Sequence, residues 1–203
     1  MKLNDTAFLS ALSLVPSLVP SLVLSAFATS VFAQPESIHL SYGPDLSSKI
    51  DVKDTRLALR WHLTEKGVLE NSQWSDRFLL DTSVSYWDNR LDASPSHSAG
   101  GGDDIYGFFI TPVWQFKSPS QRYYLDVGLG AGWISDTQIR YKGSLPLEKS
   151  TQFQFETMVG AGVLLGSERN FDLGAKLLHY SNAYIKRPNM DLNVLQFSLA
   201  YRF

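Results

Sequence analysis

Eight stretches of this chain carry an apolar residue at every second position, over 36–44, 55–65, 77–88, 104–117, 122–134, 151–165, 170–181 and 191–203. A period of two marks a β-strand with one face toward an apolar medium and the other toward a polar one. The last stretch carries it most plainly: Leu195, Phe197, Leu199, Tyr201 and Phe203 alternate with Gln196, Ser198, Ala200 and Arg202. A closing strand that ends on a terminal aromatic is the pattern of an outer-membrane barrel, whose outward face meets lipid. In the fourth stretch Tyr106, Phe108, Ile110, Pro112, Trp114 and Phe116 share a face, and in the fifth Tyr123, Leu125, Val127, Leu129, Ala131 and Trp133 do. The pattern predicts an all-β fold, an eight-stranded antiparallel transmembrane β-barrel of the bacterial outer membrane. An even strand number returns both ends to the periplasm. Eight strands leave an interior filled by its own side chains, so a porin channel is excluded.

The amino end agrees with export. Residues 1–33 read as a cleaved signal peptide: Lys2 near the start, an apolar stretch from Ala7 to Phe27 broken by Pro16 and Pro20, then Val31-Phe32-Ala33 as the cleavage site. Residues 34–203 would form the single barrel domain. No later segment approaches the roughly 20 continuous apolar residues of a spanning helix, so strands must do the crossing. A mean hydropathy near zero is no objection, because a barrel dilutes its lipid face with an equally long polar lumen face. With no cysteine there is no disulfide framework, and stability must come from a closed hydrogen-bonded sheet. A net charge of −2 without a basic stripe argues against a nucleic-acid partner. The four histidines, His39, His62, His97 and His179, are scattered and offer no ligand pair, so neither metal nor cofactor is expected.

On the inward faces, Arg60, Asp81, Asp126, Glu156, Lys176 and Arg202 are expected to form a network of mutually paired ions that offsets their desolvation. Gly128, Gly130, Gly132, Gly160, Gly162 and Gly174 also point inward and leave room for large side chains opposite. The links at 118–121 and 166–169 are short and belong to the periplasmic end, while those at 89–103, 135–150 and 182–190 are long and belong outside. The link at 66–76 breaks this rule. Loop 89–103, with three glycines beside Asp103 and Asp104, reads as an exposed loop, since the ordered ligand spacing of a calcium loop is missing.

The candidate chemistry lies on the seventh stretch and its exit. The outward residues run Phe171, Leu173, Ala175, Leu177, then His179 and Ser181, so an apolar stripe turns to imidazole and hydroxyl without changing face. Strand residues two apart stand about 6 to 7 Å from each other and point the same way, which suits a base and a nucleophile for acyl transfer. The outward set of the eighth stretch, extended upward, adds Asn193 and Asp191. His179, Ser181 and Asn193 fall at the outer-leaflet end. Taken alone, the same residues could simply mark where the strand emerges into water.

The segment HYSNA at 179–183, followed by Pro188-Asn189 and an alternating strand to the end, resembles the closing hairpin of PagL-type lipid A 3-O-deacylases. Weaker likeness extends over YWD at 86–88, TPVWQF at 111–116, LDVGLGAGW at 125–133 and VGAG at 159–162. The resemblance implies an eight-stranded outer-membrane barrel that hydrolyses the ester-linked acyl chain at the 3-position of lipid A, with no cofactor. It implies Ser181 as nucleophile, His179 as base, Asn182 at the oxyanion hole and Asn189 in support. Asn193 stands where the family carries a glutamate that orients the histidine, and Asp191 is the nearest carboxylate that could supply the missing charge. The expected partners are lipid A or lipopolysaccharide as substrate and outer-membrane lipid as solvent. Pairing of two barrels as a homodimer stays open. The alternative reading is a non-catalytic small barrel with a structural or surface-interaction role.

Overall fold

The computed structural model describes residues 34–47, 50–64, 67–69, 73–89, 104–139 and 147–203. The expected leader and nearly all of loop 89–103 lie outside them. Eight strands, β1 (Ser37–Pro44), β2 (Lys53–Thr64), β3 (Ser75–Asp88), β4 (Ile105–Lys117), β5 (Tyr123–Ile134), β8 (Phe153–Leu165), β9 (Phe171–Ser181) and β10 (Leu192–Arg202), form a closed antiparallel barrel. They coincide with the eight alternating stretches. Closure is made by β1 on β10, from Ser37 opposite Arg202 to Tyr42 opposite Phe197. The long connection after β5 carries a two-stranded ladder of its own, β6 (Gln138–Ile139) with β7 (Leu147–Glu148).

Alternation sorts the side chains as the sequence predicts. Val127, Leu129 and Trp133 of β5 and Phe197, Leu199 and Tyr201 of β10 are exposed on the outer wall, where lipid would cover them. The inward residues fill the lumen in layers. Arg60 reaches Asp81 at 3.0 Å and Asp126 at 2.7 Å. Arg56 joins Asp81 at 3.1 Å and also pairs with Glu156. Thr111 donates to Glu156 and Gln115 to Asp126, so each carboxylate has more than one partner. Tyr124 donates to Asp172 at 2.7 Å, and its ring passes over Gly162 and Gly174, where any Cβ would collide with it.

Two expectations about the lumen need correction. Arg202 does not join the inner network; it sits at the periplasmic rim with Glu36 at 3.3 Å, and Glu36 in turn is gripped by Arg77 at 2.8 Å. Lys176 points inward and is buried, but its Nζ has no hydrogen-bond partner among the described residues. Nor is the lumen polar throughout. Toward the long loops it closes with an apolar plug that includes Val52, Trp87, Ile105, Phe109, Ile134 and Leu192. The irregular link before β3 also gains an account: the Asp76 carboxylate accepts the backbone N–H groups of Val68 and Leu69 and the indole N–H of Trp114. Val68 and Leu69, the described residues that make these bonds, are thereby held against the start of the strand.

Candidate active site

His179 and Ser181 stand on the outer face of the last turn of β9, and Tyr180 between them points inward. Tyr180 is buried in the plug, its ring 4.9 Å from both Trp87 and Phe109. Its hydroxyl donates to Asp54 at 3.2 Å and accepts from Arg56 at 3.1 Å. The strand is thus held from behind at the position between the two candidate side chains. Ring packing of this kind holds a strand more firmly than surface contacts can.

The ladder between β9 and β10 sets Asn193 opposite His179 and Leu192 opposite Tyr180. Asn193 Oδ1 lies 2.8 Å from His179 Nδ1. An amide oxygen only accepts, so Nδ1 carries the proton and Nε2 is left with its lone pair, the tautomer a base requires. On the far side, Asp191 Oδ1 lies 4.0 Å from Nε2. The two groups therefore approach opposite nitrogens: Asn193 holds Nδ1 by a hydrogen bond, and Asp191 places a half-exposed charge near Nε2. Asn193 is itself pinned along its other edge. Its N–H donates to Asp45 at 3.0 Å and its C=O accepts from Leu46 N at 2.7 Å.

On the other side of β9, Thr157 stands opposite His179 and Phe155 opposite Ser181. Below the site the wall is apolar, with Leu177 flanked by Val159 and Leu195. Among the described residues no hydrogen bond engages Ser181 Oγ.

Asn182 departs from its expected role. It is buried, and Nδ2 donates to Lys149 O and to Lys186 O, both at 2.9 Å. Its backbone N–H donates to Asn189 Oδ1 at 2.9 Å. With every N–H already engaged, Asn182 has none for an oxyanion and instead pins the hairpin turn. Asn189 supports it there. The next two residues, Ala183 and Tyr184, adopt left-handed backbone at φ of 51° and 59°. Among the described residues neither of their N–H groups is taken by a hydrogen bond. Non-glycine residues in this region cost about 1 kcal/mol or more each, and such strain gathers at functional sites.

Sequence reasoning missed Asp45 and Lys149, which lie in loops without periodicity. Tyr180 carried a signal in its inward position between His179 and Ser181.

Fold and site together define a class, small outer-membrane barrels whose candidate chemistry lies on the lipid-facing wall. Residues 54–202 match the family described as Lipid A 3-O-deacylase (PagL), and the chain belongs to that family of outer-membrane hydrolases. It is 25% identical over 185 residues to the lipid A deacylase PagL of Pseudomonas aeruginosa, covering 91% of this chain and 96% of that protein. It is 28% identical over 123 residues to the PagL of Bordetella bronchiseptica, and that match spans 61% of each chain. The crystal structure of the outer-membrane enzyme PagL superposes with a TM-score of 0.65 at 19% identity, covering 82% of this chain and 99% of that one. Neisserial surface protein A shares the fold at a TM-score of 0.50 and 12% identity, covering 82% of this chain and 95% of its own.

Proposed function

We propose that this protein is a lipid A 3-O-deacylase of the serine type, acting on the ester-linked acyl chain from the outer wall of its barrel. The observation that carries the reading is the His179 ring, held by Asn193 at 2.8 Å in the tautomer that leaves Nε2 free, on the same face as Ser181. Nε2 takes the proton of Ser181 as Oγ attacks the ester carbonyl, the imidazolium returns it to the departing sugar oxygen, and water then releases the fatty acid from the acyl-enzyme. The charge that develops on the carbonyl oxygen is met by backbone N–H groups of the turn at Ala183 and Tyr184, the donors that the turn leaves unused. The apolar wall of Leu177, Val159 and Leu195 supports entry from lipid: the acyl chain lies along it while the ester meets the polar tip of β9.

Mass spectrometry of lipid A from a host expressing the wild type and Ser181→Ala tests the reading. Loss of one 3-linked hydroxyacyl chain is expected with the wild type and not with the variant. Deacylation by Ser181→Ala at the wild-type rate would remove the serine from the mechanism. Unaltered lipid A with the wild type would favour a surface-interaction role instead.

A further inference from the structure

Beyond Leu192 and Tyr180 the ladder between β9 and β10 ends, so Ser181 keeps strand pairing on its β8 side, opposite Phe155, but has none on its β10 side. A side chain from a different loop takes over. Lys149, which follows β7, is buried, and its Nζ donates to Tyr180 O at 2.9 Å and Met190 O at 2.8 Å, with Gln154 Oε1 at 3.3 Å. Tyr180 directly precedes Ser181, and Met190 directly precedes Asp191. The same segment grips the turn twice more, since Lys149 O accepts from Asn182 Nδ2 and Ser150 Oγ donates to Pro188 O.

We propose that Lys149 is a positioning residue for the deacylation: its ammonium ties the two arms of the hairpin together where their ladder ends, and so keeps Ser181 in register with His179. The proposal rests on the serine reading above. Stability alone is a poor reason for the residue. A buried ammonium whose hydrogen bonds go to neutral oxygens bears a desolvation cost that an apolar side chain of similar length would avoid. What an apolar residue cannot do is hold two diverging carbonyls at hydrogen-bond distance.

The ammonium is also titratable in a useful range. Burial, opposed by the nearby carboxylates of Asp191 and Asp45, brings it down to about 7. A neutral amine has two hydrogens for three acceptors, so the tie loosens as pH rises through that value. Arginine stays charged across the same range.

The test compares Lys149→Met, Lys149→Arg and the wild type, refolded in detergent with lipid A as substrate. Lys149 lies outside the barrel strands, so closure should survive, and heat-modifiable migration with an undiminished unfolding midpoint checks it. Lys149→Met should lower kcat on the order of 100-fold, the loss that about 1 Å of misplacement causes, while KM changes less than about twofold. Lys149→Arg should recover most of the rate and lack the decline of kcat above pH 7 that is expected of the wild type. A folded Lys149→Met with wild-type kcat, or a loss confined to KM, overturns the proposal. So do superimposable pH profiles for wild type and Lys149→Arg, which decide the matter even if the Met variant fails to fold. Ser181→Ala runs alongside. If it is inactive while Lys149→Met is normal, only the tie is lost; if it is active, the serine reading falls first.

Discussion

At the residue scale the informative position is Asn193, where the resemblance of the closing hairpin leads one to expect a glutamate. The structure separates two explanations that the sequence left level. Asn193 meets Nδ1 at 2.8 Å and Asp191 approaches Nε2 at 4.0 Å, so Asp191 has not taken over the orienting position. A hydrogen bond to a charged acceptor is worth about 1 to 1.5 kcal/mol more than one between neutral groups, which converts to roughly tenfold in rate. Asn193→Asp keeps the side-chain shape and should raise kcat by about that factor. Asn193→Ala should cost more than Asp191→Asn, because losing the orienter frees the ring, whereas a half-exposed charge contributes at most about 1 kcal/mol. Single-turnover rates for the three variants check the order, and equal rates for all would separate strand β10 from the chemistry. Ser181→Ala and His179→Ala should each abolish deacylation, and the double variant should lose no more than either, since the two act as one unit.

At the element scale β10 both closes the barrel and carries Asn193 opposite His179, so its faces are under opposite demands. Phe197 is exposed at the middle of the strand, between the inward Gln196 and Ser198. Lysine at position 197 would face hydrocarbon and cost about 2 to 4 kcal/mol. Phe197→Lys should therefore reduce the heat-modifiable, membrane-embedded fraction, measured by gel shift after outer-membrane extraction. Assembly at the wild-type level would mean that this face does not meet lipid.

At the scale of the whole molecule the barrel is a rigid frame stabilised by its contents. Arg60 holds Asp81 and Asp126 together, so Arg60→Met leaves two buried carboxylates short of a cation and should destabilise the fold by about 3 to 5 kcal/mol. Lys176→Met removes an ammonium that makes no hydrogen bond among the described residues and should be neutral or stabilising. Urea unfolding in detergent compares the two directly. A reversed order would mean that the Lys176 ammonium, rather than the Arg60 pairs, carries the network.

The eight strands, their inward and outward faces and the position of His179 and Ser181 on one wall were legible in the sequence. They follow from a period-two alternation that is local to each strand and that lipid on one side enforces. The match of Asn193 to His179 was half legible: both lie on outward faces, but only the ladder register brings them opposite each other. The fate of Asn182, the apolar plug and the places of Lys149 and Asp45 were decided by the tertiary structure alone. Each depends on closure, which brings loop segments with no periodicity against a turn they do not adjoin in sequence. Local patterning records which medium a side chain faces, and only the closed barrel determines which distant backbone oxygen it meets there.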